Sequence, residues 1–107
     1  MGFRMPSYIA LATLLDGPLH GYAIVRRAAE LSDGQVRPST GTLYALLDRA
    51  TAEGLVVAGE PYTENGRERR DYALTEEGRR ELEAETRRLE RAARTVSRRL
   101  RATAVRA

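Results

Sequence analysis

The sequence predicts a mainly α-helical fold with one small β-hairpin and a long C-terminal helix. Apolar residues recur at helical spacing in three short segments of the first half of the chain. A β-prone segment and an alternating segment then flank the turn-forming dipeptide Asn65-Gly66. From Thr75 onward, apolar residues follow a heptad pattern among arginines and glutamates.

The composition is that of one small folded domain. The chain has 107 residues, of which 42% are hydrophobic, so we expect it to fold rather than stay disordered. It has no cysteine, which excludes disulfides and thiolate metal sites and fits a reducing compartment. The longest apolar run, Ile9 to Leu15, is too short to cross a bilayer, and the N-terminus lacks a signal-peptide pattern. We therefore expect a cytoplasmic protein that does not enter a membrane.

The net charge of +3 is distributed unevenly along the chain. Every basic residue is an arginine, and residues 75–107 carry most of the excess positive charge. Residues 1–74 are close to neutral. Net charge alone is therefore a weak argument for binding to nucleic acid.

Three helices are expected before the hairpin. The first covers residues 7–16 and ends at Gly17-Pro18, and the second runs from His20 to about Ser32. The third runs from Ser39, a good N-cap, to about Glu53, with Gly54 as its C-terminal stop. The spacing i, i+3, i+4, i+7 gives the third helix an apolar face formed by Leu43, Leu46, Leu47 and Ala50.

The hairpin and the last helix follow. One strand is expected at 55–58, and a second where Arg70, Tyr72 and Leu74 alternate with polar or small residues. The tip of this hairpin is charged. Thr75 is the expected N-cap of the last helix, so we divide the chain into a domain of residues 1–75 and a helix of residues 76–107.

The last helix carries a heptad seam, whose members are Leu82, Thr86, Leu89, Ala93, Val96 and Leu100. A long, narrow apolar seam needs a facing helix, so we interpret it as a dimerisation surface. The alternative is a stripe that packs within the same chain. An antiparallel partner would bring Glu85 near the partner's Arg99.

The order helix, helix, helix, hairpin, long helix is typical of a winged helix-turn-helix. In that fold the third helix enters the DNA major groove and the hairpin reaches the flanking backbone. Four blocks of the sequence also resemble the PadR family of bacterial transcriptional regulators. They are Leu19–Ile24, Gly41–Leu47, Glu53–Val56 and Tyr72–Gly78.

The resemblance implies a homodimeric repressor that binds an inverted-repeat operator through the third helix and the wing. It also implies that the C-terminal helix contacts the partner subunit, and that a small aromatic or lipophilic molecule acts as effector. Two positions depart from the family pattern, Ala45 in place of a frequent proline and Asp71 among basic residues. Both bear on which DNA sequence is bound.

The start of the third helix supplies the first candidate DNA contacts, Ser39, Thr40, Gly41 and Thr42. Short hydroxyl side chains suit phosphates or base edges. A glycine inside a helix costs about 1 kcal/mol relative to alanine. We interpret Gly41 as a place where the DNA backbone approaches a helix N-terminus. The alternative is a tight crossing within the protein.

Six further residues complete the candidate DNA surface: Arg37, Tyr44, His20, Arg67, Arg69 and Arg70. The arginines suit phosphates. Tyr44 lies off the apolar face and either contacts a phosphate or packs on the wing. His20 caps the second helix or meets a phosphate, whereas Tyr22 is expected to pack.

No enzyme, cofactor or metal site is expected. Ser39, His20 and Asp16 can be written as a triad, but the sequence shows no nucleophile turn, and a lone histidine does not make a metal site. The other class left open is a winged-helix protein-interaction module that uses the heptad helix as its contact.

Overall fold

The structure, a computed structural model, describes residues 3–104. The helices are α1 (Met5–Ala12, continued by a 3-10 turn at Thr13–Asp16), α2 (Gly21–Leu31), α3 (Thr40–Ala52) and α4 (Glu76–Ala104). The strands are β1 (Leu19–His20), β2 (Val56–Ala58), β3 (Tyr62–Glu64), β4 (Arg67–Arg69) and β5 (Asp71–Leu74). The mainly α-helical class with a small hairpin and a long last helix is confirmed. No helix within the described residues is long and apolar enough to span a membrane.

The β-structure consists of two sheets rather than one hairpin. Strand β5 lies between β1 and β2 and is antiparallel to both, with Leu19 opposite Tyr72 and Val56 opposite Leu74. Strands β3 and β4 form a separate hairpin, which we call the wing (residues 62–69). Its turn has positive φ at both Asn65 and Gly66, as a type I′ turn requires. Strand β1 was not predicted, because two residues carry no detectable alternation.

Local capping fixes the helix starts. The Ser39 hydroxyl accepts the Thr42 N–H at 3.2 Å, and the Thr75 hydroxyl accepts the Gly78 N–H at 3.0 Å. Gly54 ends α3 with a φ of 78°, and the next amide donates to the Ala50 carbonyl at 2.9 Å. Both predicted N-caps and the predicted stop are therefore present in the structure.

The core lies where α1, α2 and α3 meet the three-stranded sheet. Leu43 and Leu47 from the predicted apolar face of α3 are fully buried there, together with Leu11 and Ile24. Tyr72 of β5 and Leu82 of α4 close the same cluster. The core thus anchors α3 by one face and leaves its opposite face outside.

The heptad seam of α4 divides into two parts. Leu82 is 5% exposed and belongs to the core of its own chain. The Thr86 hydroxyl donates to the Leu82 carbonyl and accepts from the Tyr8 hydroxyl of α1. Leu89 is half-buried, whereas Ala93, Val96 and Leu100 are exposed. The alternative of packing within the chain therefore holds for the start of the seam, whereas the second half of the seam is exposed.

Glu85 is buried inside the chain. Its carboxylate accepts from Arg88 Nε at 2.8 Å and Nη2 at 2.6 Å, and from the Phe3 N–H at 3.4 Å. These bonds, chiefly those from Arg88, lower the pKa of Glu85. Both oxygens are thus engaged within the chain, which argues against the expected contact between Glu85 and the partner's Arg99; that contact stays a prediction.

Candidate nucleic-acid interface

The first turn of α3 is open to solvent. Ser39, Thr40, Gly41 and Thr42 are all exposed. Apart from its chain neighbours and the backbone of its own helix, a Cβ placed on Gly41 would meet no heavy atom of residues 3–104 within 4 Å. The alternative of a tight crossing within the chain is therefore wrong. The first amides of a helix have no acceptor within that helix, so this turn presents unpaired N–H groups and the positive end of the helix dipole outward.

A groove of about 350 Å³ lies between α3 and the wing. Tyr44 lines it from the helix side, and His20 lines it beside the start of α2. The wing contributes Arg67 and Arg69, and Arg70 follows directly. The structure therefore brings these five predicted residues together. The four residues of the first turn lie outside this groove, as does exposed Arg37, which precedes α3.

Tyr44 packs against the start of α2. A Cβ added at Gly21 would lie 2.5 Å from the Tyr44 hydroxyl oxygen and 3.3 Å from Leu43 Cδ2. Gly21 is therefore the residue that lets α3 approach the N-terminus of α2. The Tyr44 side chain remains 42% exposed, so it still faces the groove.

The three arginines around the wing have different environments. Arg67 and Arg70 are exposed, and neither forms an ion pair within residues 3–104. The Arg69 side chain is only 18% exposed, and its Nε lies 3.1 Å from Glu64 Oε1. The Nε–H does not point at that oxygen and has no hydrogen-bond acceptor in the part of the chain described. Arg69 is thus held by the protein, unlike its two neighbours.

His20 is tied to two groups of its own chain. Its Nδ1 accepts the Ala23 N–H at 3.3 Å, which caps α2, and lies 3.2 Å from Arg69 Nη1. A guanidinium can only donate, so Nδ1 acts as acceptor and the ring hydrogen is assigned to Nε2. The capping role proposed for His20 is present, and its second contact is an arginine.

Tyr22 is a groove residue that sequence reasoning missed. It was expected to pack, but it is 64% exposed and lines the groove, so that expectation is wrong. Its ring lies 6.5 Å from the His20 ring and 5.8 Å from the Arg26 guanidinium carbon. The signal was available, since position 22 falls outside the apolar face that Ile24 and Ala28 define on α2.

Asp71, which departs from the family pattern, has a contact inside the protein. Its Oδ1 accepts the Tyr62 hydroxyl at 2.7 Å, and this bond to a carboxylate raises the pKa of Tyr62. The bond joins the first strand of the wing to β5. The carboxylate of Asp71 therefore stabilises the base of the wing.

The described residues do not group into a catalytic or a metal-binding site. Between residues 3 and 104, no three potential metal-ligating side chains are grouped closely enough to hold an ion. Ser39 is engaged as the cap of α3, and the His20 Nδ1 faces an arginine rather than a serine.

The geometry defines a winged helix-turn-helix protein, in which α2 and α3 form the helix pair and β3–β4 the wing. The chain belongs to the transcriptional regulator PadR-like family, whose model matches residues 10–84.

Three known proteins show how far the similarity extends. The transcriptional regulator Rv3488 of Mycobacterium tuberculosis is 42% identical over 81 residues, which is 76% of this chain and 72% of that protein. An uncharacterized 37.1 kDa protein in transposon Tn4556 of Streptomyces fradiae is 43% identical over 77 residues, or 72% of this chain. The match spans only 21% of the length of that transposon protein. Bacillus subtilis PadR, solved in complex with operator DNA, is 27% identical with a TM-score of 0.66, covering 76% of this chain and 47% of that one.

Proposed function

We propose that this protein is a DNA-binding repressor that acts as a homodimer on an inverted-repeat operator. The observation that carries the proposal is the exposed first turn of α3, open at Gly41, next to a wing that bears exposed arginines. The similarity to Bacillus subtilis PadR, whose structure contains operator DNA, supports it.

The charges and donors of this surface suit a DNA duplex. The free amides and positive dipole end of α3 attract a phosphate, and Thr40 and Thr42 offer hydroxyls to phosphates or base edges. Arg37, Arg67 and Arg70 supply exposed positive charge for the backbone on either side. Tyr44 adds a partly exposed aromatic side chain on the groove side of the same helix.

The second half of α4 is the proposed dimer contact. Val96 is 57% exposed and Leu100 is 63% exposed, on a helix face that no other described residue covers. Residues 76–90 of α4 contain an excess of glutamates, whereas residues 91–104 contain five arginines and no acid. An antiparallel partner helix would therefore place opposite charges side by side.

A groove on the body of the protein is the proposed binding site for such a partner helix. It has a volume of about 310 Å³ and is lined by Leu15, Leu82, Thr86 and the charged side chains of Arg79, Glu83 and Arg87. Leu15 is an exposed leucine at this place. The division into a DNA-binding unit (residues 1–75) and a dimerisation helix (residues 76–107) is part of this proposal; residues 1, 2 and 105–107 lie outside the described structure.

An aromatic or lipophilic effector stays a prediction that depends on the family resemblance. Near the N-terminus, the aromatic side chains of Phe3 and Tyr8 pack against the core of their own chain, and Met5 is half-exposed at the start of α1.

The experiment that tests DNA binding is an anisotropy titration of the wild-type protein. Labelled DNA from upstream of its own gene is compared with an unrelated fragment at low and moderate salt. A dimer that neutralises about six phosphates should lose roughly a thousandfold in affinity between about 50 and about 200 mM salt. Equal, salt-independent binding to both fragments would contradict the proposal and favour a protein partner contacted through α4.

The dimer contact is tested by Leu100→Asp. We expect the variant to sediment as a monomer, because a buried unpaired carboxylate at a helix seam is strongly unfavourable. Ser97→Asp, one residue outside the seam on the same exposed part of α4, is the matched control and should remain dimeric. A dimeric Leu100→Asp protein would contradict this interface.

A further inference from the structure

The wing contributes no residue to the hydrophobic core of the protein. Between residues 60 and 70 every side chain is exposed except that of Arg69, and none of these residues belongs to the core. A two-stranded hairpin is marginally stable alone. Polar contacts are therefore important for the position of the wing over the groove.

Two polar contacts join the wing to the body at opposite strands. On β3, the Tyr62 hydroxyl donates to Asp71 Oδ1 at 2.7 Å. On β4, Arg69 Nη1 lies 3.2 Å from His20 Nδ1, at the junction of β1 and α2. The Arg69 guanidinium also pairs with Glu64 across the wing, at 3.1 Å. One arginine thus links both strands of the wing to the helix-turn-helix.

We propose that His20 is a positioning residue that holds the wing through Arg69, and that neither side chain contacts DNA directly. This inference rests on the proposed DNA-binding function. His20 sits in β1, which pairs with β5, and its ring also caps α2. His20 is therefore fixed to both the sheet and α2, against which α3 packs. Through its contact with Arg69, it fixes the position of the wing relative to these elements.

The positioning role of His20 and Arg69 follows from which arginines around the wing are available to bind phosphate. The charge of Arg69 is engaged by Glu64 and most of its side chain is covered, whereas Arg67 and Arg70 are exposed. Without the His20 contact, the wing would still carry its two exposed arginines. It would have to be ordered on binding, which weakens affinity without reducing the number of phosphates neutralised.

Two variants of His20 distinguish three roles of its side chain: the cap on α2, the contact with Arg69 that holds the wing (the tether), and a direct DNA contact. In His20→Asn the amide oxygen occupies the place of Nδ1, so it can accept from both Ala23 and Arg69. In His20→Ser the hydroxyl is a good N-cap but is too short to reach Arg69. A direct contact through the imidazole would be lost in both variants, whereas a tether would be lost only in His20→Ser.

Two readouts are measured on each variant. In the absence of DNA, ¹⁵N relaxation of the Thr63 and Glu68 amides should show a more mobile wing in His20→Ser and Arg69→Ala, but not in His20→Asn. This measurement does not involve DNA, so it tests the tether even if the proposed function fails. An equally rigid wing in all variants would overturn the inference.

The second readout is affinity for the upstream DNA against salt concentration. His20→Ser and Arg69→Ala should each bind about tenfold more weakly, the effect of one charge-assisted hydrogen bond, and the double variant no more weakly than either. The salt slope should be unchanged by Arg69→Ala but smaller by about one per lost contact in Arg67→Ala, the exposed control. A reduced slope in Arg69→Ala, or weak binding by His20→Asn, would show direct DNA contact and overturn the proposal.

Discussion

Gly78→Ala is expected to lower the free energy of unfolding by about 3 kcal/mol, because α4 crosses the sheet at this residue with no room for a methyl group. An added Cβ would lie 2.1 Å from the Leu55 carbonyl oxygen and 2.7 Å from Leu74 Cδ1. The carbonyl is backbone and cannot turn away, since it also accepts the Thr75 N–H at 3.0 Å. Helix α4 must therefore move outward and withdraw Leu82 from the core.

Urea unfolding followed by circular dichroism measures this loss. Gly41→Ala is the matched control, since it makes the same change in a helix where the new methyl meets nothing within 4 Å. The control should be more stable than wild type by about 0.5–1 kcal/mol, which is the helix propensity of alanine over glycine. Wild-type stability in Gly78→Ala would show that α4 does not pack against Leu55 and Leu74 as described.

Gly41 substitutions should have opposite effects on stability and on DNA binding. Because the free protein has space at this position, the alanine variant gains stability. If the DNA backbone occupies that space, alanine should weaken binding by about tenfold and leucine by about a hundredfold, typical costs of overpacking a close contact. The measurement is a titration with the upstream DNA, alongside the unfolding curves.

Ala52→Leu provides the control for side-chain bulk, because position 52 is exposed at the far end of the same helix. It should bind DNA as wild type does. Unchanged affinity in Gly41→Leu would mean that the glycine is simply tolerated, and that DNA, if bound, does not approach the first turn of α3.

Local sequence signals predicted most of the fold. The N-caps at Ser39 and Thr75, the stop at Gly54 and the turn at Asn65-Gly66 depend on contacts within a few residues, so single-sequence reasoning finds them. Strand β1 was missed because two residues carry no pattern, and it exists only because β5 lies beside it.

The residue types of the candidate interface were predictable, but their division of roles was not. Arg67, Arg69 and Arg70 look alike in the sequence, and only the position of His20 distinguishes Arg69. The heptad seam was visible, yet the core takes Leu82 and α1 takes Thr86, which shortens the free surface. Such differences arise from contacts between residues far apart in the chain, and the periodicity of the sequence does not reveal these contacts.

The glycine in the first turn of α3 illustrates the same limit. The sequence showed that Gly41 is unfavourable for a helix, but not whether the protein itself needs the space. The structure shows that no atom of the described chain occupies it. The space therefore faces outward, where a ligand of the helix N-terminus would lie.

The central claim, that α3 and the wing form the DNA-binding surface, is tested most directly by mapping amide chemical-shift changes in ¹⁵N-labelled protein titrated with its upstream DNA. We expect the largest changes at Ser39–Tyr44 and at Arg67 and Arg70, and little change at the buried face of α3. Changes confined to the arginine-rich residues 91–104, with the first turn of α3 unaffected, would contradict the claim and assign DNA contact to α4.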